Sequence, residues 1–459
     1  MKNLQNIIKK PILVIQTITL LFVSCDAWID HDINVDPDSP ADVPMNLLLP
    51  TIEQTIGFVL LGNDGVRTTN IWMQQFDGVD RQSYTTARYQ LNAGDTGNFW
   101  SSIYSEGLVN AKIIIDKAGT EGQESPNYAG VAKVLTAATL GMTSDLFGDI
   151  PYSEALQGSA NLTPVYDSQE SIYSSIFSLL DDAVVDLNST TNAFSITGDV
   201  CYNGSLSKWK KAAYSIKARH LLQLSEVNGN AAYTAALAAV AQGFTSDADD
   251  FKVPFDADDH NPIFQFMEQR TDIRMAATLV DMLKADDDPR LPFYVDQDAN
   301  GEYTGSVINS QNANASRPGT YVAGESAPTY IMTYSEAKFI EAECKLQLGQ
   351  SGAQAAYEAA VAASVLRVTG SANTAWLDAN INGDPVTMEK LMTQKYINSF
   401  GTNQAWADYR RTGYPNLTLA PDAVIPEIPS HYPYPQSELS YNGANVPSAT
   451  LTTKVWWDK

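Results

Sequence analysis

From Tyr128 to Phe147 the chain reads YAGVAKVLTAATLGMTSDLF, an unbroken and alanine-rich run with helical character. The next stretch, SQESIYSSIFSLLDDAVVDL, places Ile172, Ile176, Leu179, Leu180 and Val184 three and four apart, the period of an amphipathic helix. Ser168 is its expected N-cap, with Gln169 and Glu170 in the first turn. Two longer units follow. SLSKWKKAAYSIKARHLLQLSEV passes through a turn at Asn228-Gly229-Asn230 into AAYTAALAAVAQGF, and TYSEAKFIEAECKLQLG passes through Gln350-Ser351-Gly352 into AQAAYEAAVAASVLR.

Each of these units is a helix, a short Gly-bearing turn and a second helix, close to the roughly 34-residue period of a tetratricopeptide hairpin. Ala337, Ala342, Ala356 and Ala360 are small enough to let two helices approach closely. The expected fold is therefore mainly α, a tetratricopeptide-like helical hairpin scaffold. Helical periodicity is lost in two places. The segment around 62–98 carries DGVDRQSYTTARYQLNAGDTGN, and the segment around 244–330 is rich in Asp, Asn, Gly and Pro, which is turn chemistry. Both read as long irregular loop insertions, and long loops on a rigid scaffold are where binding sites usually sit.

The N-terminus follows a different pattern. Lys2, Lys9 and Lys10 precede an apolar run from Ile12 to Val23 that ends at Ser24-Cys25. A bilayer-spanning helix needs about 20 apolar residues, so this run is too short to anchor, whereas cations followed by a short apolar core are a secretion signal. The end, Leu21-Phe22-Val23-Ser24-Cys25, resembles a bacterial lipobox, with Phe22 where leucine is commoner. It implies cleavage before Cys25 and diacylglycerol on its thiol. Residues 1–24 are then a lipoprotein signal peptide, 25–45 a lipidated tether broken by Asp36-Pro37-Asp38-Ser39-Pro40, and 46–459 one helical domain.

The formal charge is −24, and loss of three lysines and no acid with residues 1–24 takes −24 to −27. Such an acidic chain repels phosphate backbones, which excludes nucleic acid as a partner. It also repels anionic lipid, so the acyl group must supply the membrane attachment. Cys201 and Cys344 read as small hydrophobes, since a chain of this length needs no disulfide to build a core.

Which residues could bind? Capture without chemistry needs flat apolar faces with polar groups at their edges. Trp72, Phe76, Tyr84, Tyr89, Phe99, Trp100 and Tyr104 lie among Asn, Gln, Arg and Ser between Ile71 and Tyr104. Trp72, beside Ile71 and Met73, reads as core. Trp100 and Tyr104 are four apart, so one of them faces the interior. Tyr84 and Tyr89 precede them in the loop, and Tyr321 stands in a second, Gly-flanked loop. Each such ring contact contributes about 2–3 kcal/mol, and three of them less the cost of association leave only micromolar-to-millimolar affinity.

Catalytic patterns are sparse. The runs Asp256-Ala257-Asp258-Asp259 and Asp286-Asp287-Asp288 lack EF-hand spacing, and among 53 acids adjacent carboxylates are expected without a glycosidase pair. No His-Glu-x-x-His, Gly-x-Ser-x-Gly, P-loop or paired Cys-x-x-Cys occurs. The expectation is a binding protein without cofactor or metal. A helical scaffold for protein partners fits the hairpins equally, and a glycoside hydrolase fits less well.

Four stretches carry a resemblance. They are Ile33-Asn34-Val35-Asp36-Pro37 with Leu47-Leu48-Leu49-Pro50; Asp145-Leu146-Phe147-Gly148-Asp149-Ile150-Pro151-Tyr152; TYSEAKFIEAECKLQLG from Thr333; and QKYINSFGTNQAWADYRRTGYP from Gln394, reinforced by Tyr434-Pro435-Gln436. In this order, behind a lipobox, they resemble the SusD/RagB family of outer-membrane nutrient-binding lipoproteins, SusD-like second subgroup. One departure is Ile428-Pro429-Ser430-His431, where the family tends to carry arginine, which puts a local ion pair in doubt. The resemblance implies a lipid-anchored outer-membrane protein facing the exterior. It would capture oligosaccharide or peptide and hand it to a SusC-like TonB-dependent transporter. It also places the ligand near the start of the helix after the first loop, which adds Asn98 to Trp100 as a binding candidate.

Overall fold

A computed structural model describes residues 42–459; the expected signal segment, Cys25 and most of the tether lie outside them. The four expected scaffold stretches fold as helices. Pro126–Phe147 packs on Gln169–Asp186, Leu206–Gln223 on Asn230–Val240, and Tyr334–Gln347 on Ala353–Thr369. Ser168 does cap its helix, its hydroxyl accepting from the Ser171 amide, which satisfies one of the amides a helix start leaves unpaired. Ala337, Ala342, Ala356 and Ala360 are buried in one cluster with Phe339, Tyr357 and Val361, so their small size sets the helix spacing as expected. Cys344 is buried and Cys201 partly so, and both are free thiols.

The third and fourth family-like stretches meet in the interior. Glu343 of helix Tyr334–Gln347 bonds both Arg411 and Lys395, and Asp408 bonds the same two cations. All four side chains are at most 4% exposed. Nearby, Glu336 grips the Arg219 guanidinium with both oxygens at 2.7 and 2.6 Å. These buried pairs tie the hairpins together.

The expected irregular insertions are more ordered than their composition implied. The segment 62–98 folds into helix Asp64–Trp72, strand Phe76–Gly78 and helix Arg81–Ala87. The segment 244–330 contributes helices Pro262–Gln269 and Ala277–Ala285 and strands Phe251–Val253, Ile273–Met275 and Thr329–Met332. Composition hid this because the strands are only three or four residues long. Phe76–Gly78 pairs antiparallel with Ile273–Met275, so the two insertions hold each other. The first is also pinned to the scaffold: Asn70 donates to the Thr402 carbonyl, Thr69 to Asn403, and Gln75 to the Tyr396 carbonyl. Trp72 is fully buried against Trp406, 5.5 Å between ring centres, as a core residue should be.

Candidate functional site

Three elements of the insertions converge on a polar cleft of about 290 Å³. Helix Asp64–Trp72 supplies Asp64 and Arg67, helix Arg81–Ala87 supplies Gln82, and helix Pro262–Gln269 supplies Gln265, Phe266 and Gln269. Local chemistry fixes each start. The Asp80 carboxylate accepts from the Arg81 amide. Asn261 accepts from the amides of Ile263 and Phe264 and donates to the Ala327 carbonyl, while Pro262 at the first helical position needs no amide partner. Gly62 lets the two walls meet, because a Cβ there would stand 2.1 Å from the Pro262 ring.

Arg67 organises the floor. Its guanidinium lies 4.1 Å from the Phe266 ring centre, held flat by Asn63 and Asp64, each at 2.5 Å. Burial draws its pKa down from the usual value, opposed by Asp64. At the rim, Arg270 lies 3.8 Å from Asp272, which Arg81 also bonds at 2.8 Å. Arg81 has a positive φ of 45°, a conformation that costs a non-glycine residue about 1–3 kcal/mol and clusters at functional sites. The cleft thus presents amides that donate and accept, two aromatic side chains (Phe58 and Phe266), and cations already partnered. That inventory suits a ligand rich in hydroxyls.

The residues expected to bind are scattered. Tyr84, half-buried, lies on the same helix as Gln82, with the Arg88 guanidinium 5.7 Å over its ring. Tyr89 is buried, its hydroxyl accepting from the Ala420 amide. Trp100 is 5% exposed, packed among Tyr104, Phe147 and Tyr166. Asn98, on the same helix, is exposed. Tyr321 is half-buried and stacked on Tyr330, 5.8 Å apart, with Arg367 beside both rings. Only Tyr84 shares an element with the cleft. Gln265, Phe266 and Gln269 escaped the sequence reading, although Asn261-Pro262 before IFQFMEQ is a helix-start signal.

One cluster among the described residues has metal-ligand types close together: Glu53, Asp199 and Cys201, with ligand atoms within 4.8 Å. Asp199 already accepts from the amides of Cys201, Tyr202 and Gly204 and from the Trp209 indole. Burial, with the Asp199 charge beside it, pushes Glu53 well above the usual carboxylate range.

Residues 39–435 match the SusD-like_2 family, described as starch-binding and associating with the outer membrane. The chain belongs to that family. Solved structures agree along nearly the whole length. A SusD/RagB family protein from Bacteroides thetaiotaomicron is 25% identical with a TM-score of 0.78, covering 91% of this chain and 99% of that one. A chitin-binding SusD homolog from Flavobacterium johnsoniae is 27% identical with a TM-score of 0.77, covering 90% and 98%. Another structure, a chitin-binding protein, is 26% identical with a TM-score of 0.80, covering 91% and 100%. No curated protein matches the chain. Within the SusD-like_2 frame, the third and fourth family-like stretches are the ones that form the buried charge network.

Proposed function

We propose that this SusD-like_2 protein is a cell-surface lipoprotein, anchored through Cys25, that captures oligosaccharides and passes them to a SusC-like TonB-dependent transporter. The observation that carries the reading is the cleft at Phe266, where three glutamine amides surround aromatic faces on a rigid, scaffold-pinned floor. A pyranose offers an apolar face and a ring of hydroxyls, and the cleft offers the complement of both. Two similar structures are described as chitin-binding, which makes neutral glycans the leading cargo. Capture proceeds without chemistry on the ligand. Among the described residues, Asp64 is the carboxylate lining the cleft, and it is committed to Arg67, whereas glycoside cleavage needs a free acid and a second carboxylate across the bond. Tyr84, on the helix that carries Gln82, remains a candidate for a contact at the periphery, whereas Asn98, Trp100, Tyr89 and Tyr321 do not line the cleft.

Two exposed apolar side chains are in keeping with a transporter contact. Leu162 is 77% exposed and Tyr441 83%, on two segments that Asn442 and Asn445 stitch together by donating to the carbonyls of Pro164 and Thr163. Exposed apolar residues of this size suit a protein contact.

Calorimetry of the chain from Asp26 onward against chitin, cellulose, starch and peptide oligomers tests the capture. The account expects one glycan class to bind at micromolar-to-millimolar strength, about thirtyfold weaker in Phe266→Ala, the equivalent of roughly 2 kcal/mol of ring contact. Binding unchanged in that variant would move the site elsewhere, and binding of peptides alone would overturn the glycan reading.

A further inference from the structure

Beside the cleft lies a second, more open hollow of about 450 Å³, bordered by Thr51, Gln54, Val59, Glu106 and Asp259. Phe58 borders both. Small-molecule sites span about 300–1,000 Å³, so the cleft falls just below that range and the second hollow in its lower half, and the two joined at Phe58 suit an extended ligand.

The second hollow is built from rare backbone. Phe58 and Val59 come from a π-helical turn, Thr55–Leu60, and Glu106 from another, Ile103–Leu108. The two turns pack against each other. π-helical residues make up well under 1% of globular proteins, and single π turns concentrate at functional sites. In each turn the closing amide reaches five residues back, Leu61 to the Ile56 carbonyl and Val109 to that of Tyr104. This shifts Phe58 and Glu106 out of the positions an α-helix would give them. Gly57 makes room for the first turn, since a Cβ there would stand 2.5 Å from Val253.

We propose that this hollow is a second subsite that takes the continuation of a glycan chain held in the cleft, with Phe58 as the platform between them. The inference rests on reading the cleft as the glycan site. Its chemistry differs from that of the cleft: Glu106 and Asp259 are exposed carboxylates, which accept from hydroxyls or ammonium groups and repel uronate and sulfate. The chain selected is linear, longer than the cleft alone can hold, and neutral or amino-bearing.

The test is calorimetry of the chain from Asp26 onward with chitin, cellulose and starch oligosaccharides, each as trimer and hexamer. Wild type runs beside Phe58→Ala and the double variant Glu106→Gln with Asp259→Asn. Circular dichroism checks that the variants are folded; the double variant alters only exposed side chains. The proposal expects the hexamer of the bound class to bind at least about tenfold tighter than its trimer. It expects that advantage to vanish in Phe58→Ala and to shrink at least about threefold in the double variant, with the trimer unchanged in the latter. Equal affinity for trimer and hexamer, or a hexamer indifferent to both variants, would overturn the second subsite while leaving the cleft intact. Failure of every oligosaccharide to bind wild type would overturn the cleft reading and this one with it.

Discussion

At the scale of single residues, the family-like stretches were legible while their roles were not. Glu343, Lys395, Asp408 and Arg411 stood out as parts of motifs, yet nothing in spacing says that residues so far apart in sequence share one buried network. The role is structural. Glu343→Gln leaves two cations with one carboxylate in a dry interior, where breaking a buried pair costs about 3–5 kcal/mol; the urea midpoint should fall accordingly at unchanged slope. His431 shows the same division. It was noticed as a departure from the family, and the structure buries it with its Nδ1 against the Tyr432 carbonyl. Burial, helped by the nearby Arg410 charge, lowers its pKa to about 4. The folded state therefore holds His431 neutral, while the unfolded chain binds a proton below about 6.5. Its stabilising share is complete above about 6.5 and is lost as pH falls toward 4. Asp77 and Asp250, each raised to about 6 by burial, act in the opposite sense over an overlapping range. Comparison with His431→Gln isolates the histidine: between pH 7 and pH 5 wild type should lose about 2 kcal/mol more than the variant.

At the scale of elements, helix periodicity was read well and short pieces were missed. The long helices announce themselves because a buried stripe repeats over many turns. The three-residue strands Phe76–Gly78 and Ile273–Met275 are specified by each other across almost 200 positions, and no local pattern encodes that. Helix approach was half legible. The alanines signalled close packing, whereas Gly141 drew no notice. A Cβ on Gly141 would meet the His220 ring at 2.3 Å, so helices Pro126–Phe147 and Leu206–Gln223 touch there. Gly141→Ala should destabilise by about 1–2 kcal/mol, overpacking of about 1–3 kcal/mol outweighing the gain in helix propensity of up to about 1 kcal/mol. Thermal unfolding would check it.

At the scale of the whole molecule, the proposed function sets a glycan-capturing cleft on a lipid anchor at Cys25. Cys25→Ala should abolish incorporation of labelled fatty acid and release the protein from membranes, as read by fractionation. The candidate site was the least legible part. An aromatic residue in sequence gives no sign of whether its ring faces core or solvent, and Trp100, the most prominent of them, is packed inside by Tyr166. The cleft instead draws Arg67, Gln82 and Phe266 from three separate helices, a convergence that only the paired strands and the Gly62–Pro262 contact create. The most direct test of the account is a crystal structure of the chain from Asp26 onward with the hexamer of the glycan class it binds. The account predicts an intact oligosaccharide lying against Phe266 with Gln265 and Gln269 on its hydroxyls. Density elsewhere on the surface, or a shortened product in the cleft, would contradict it.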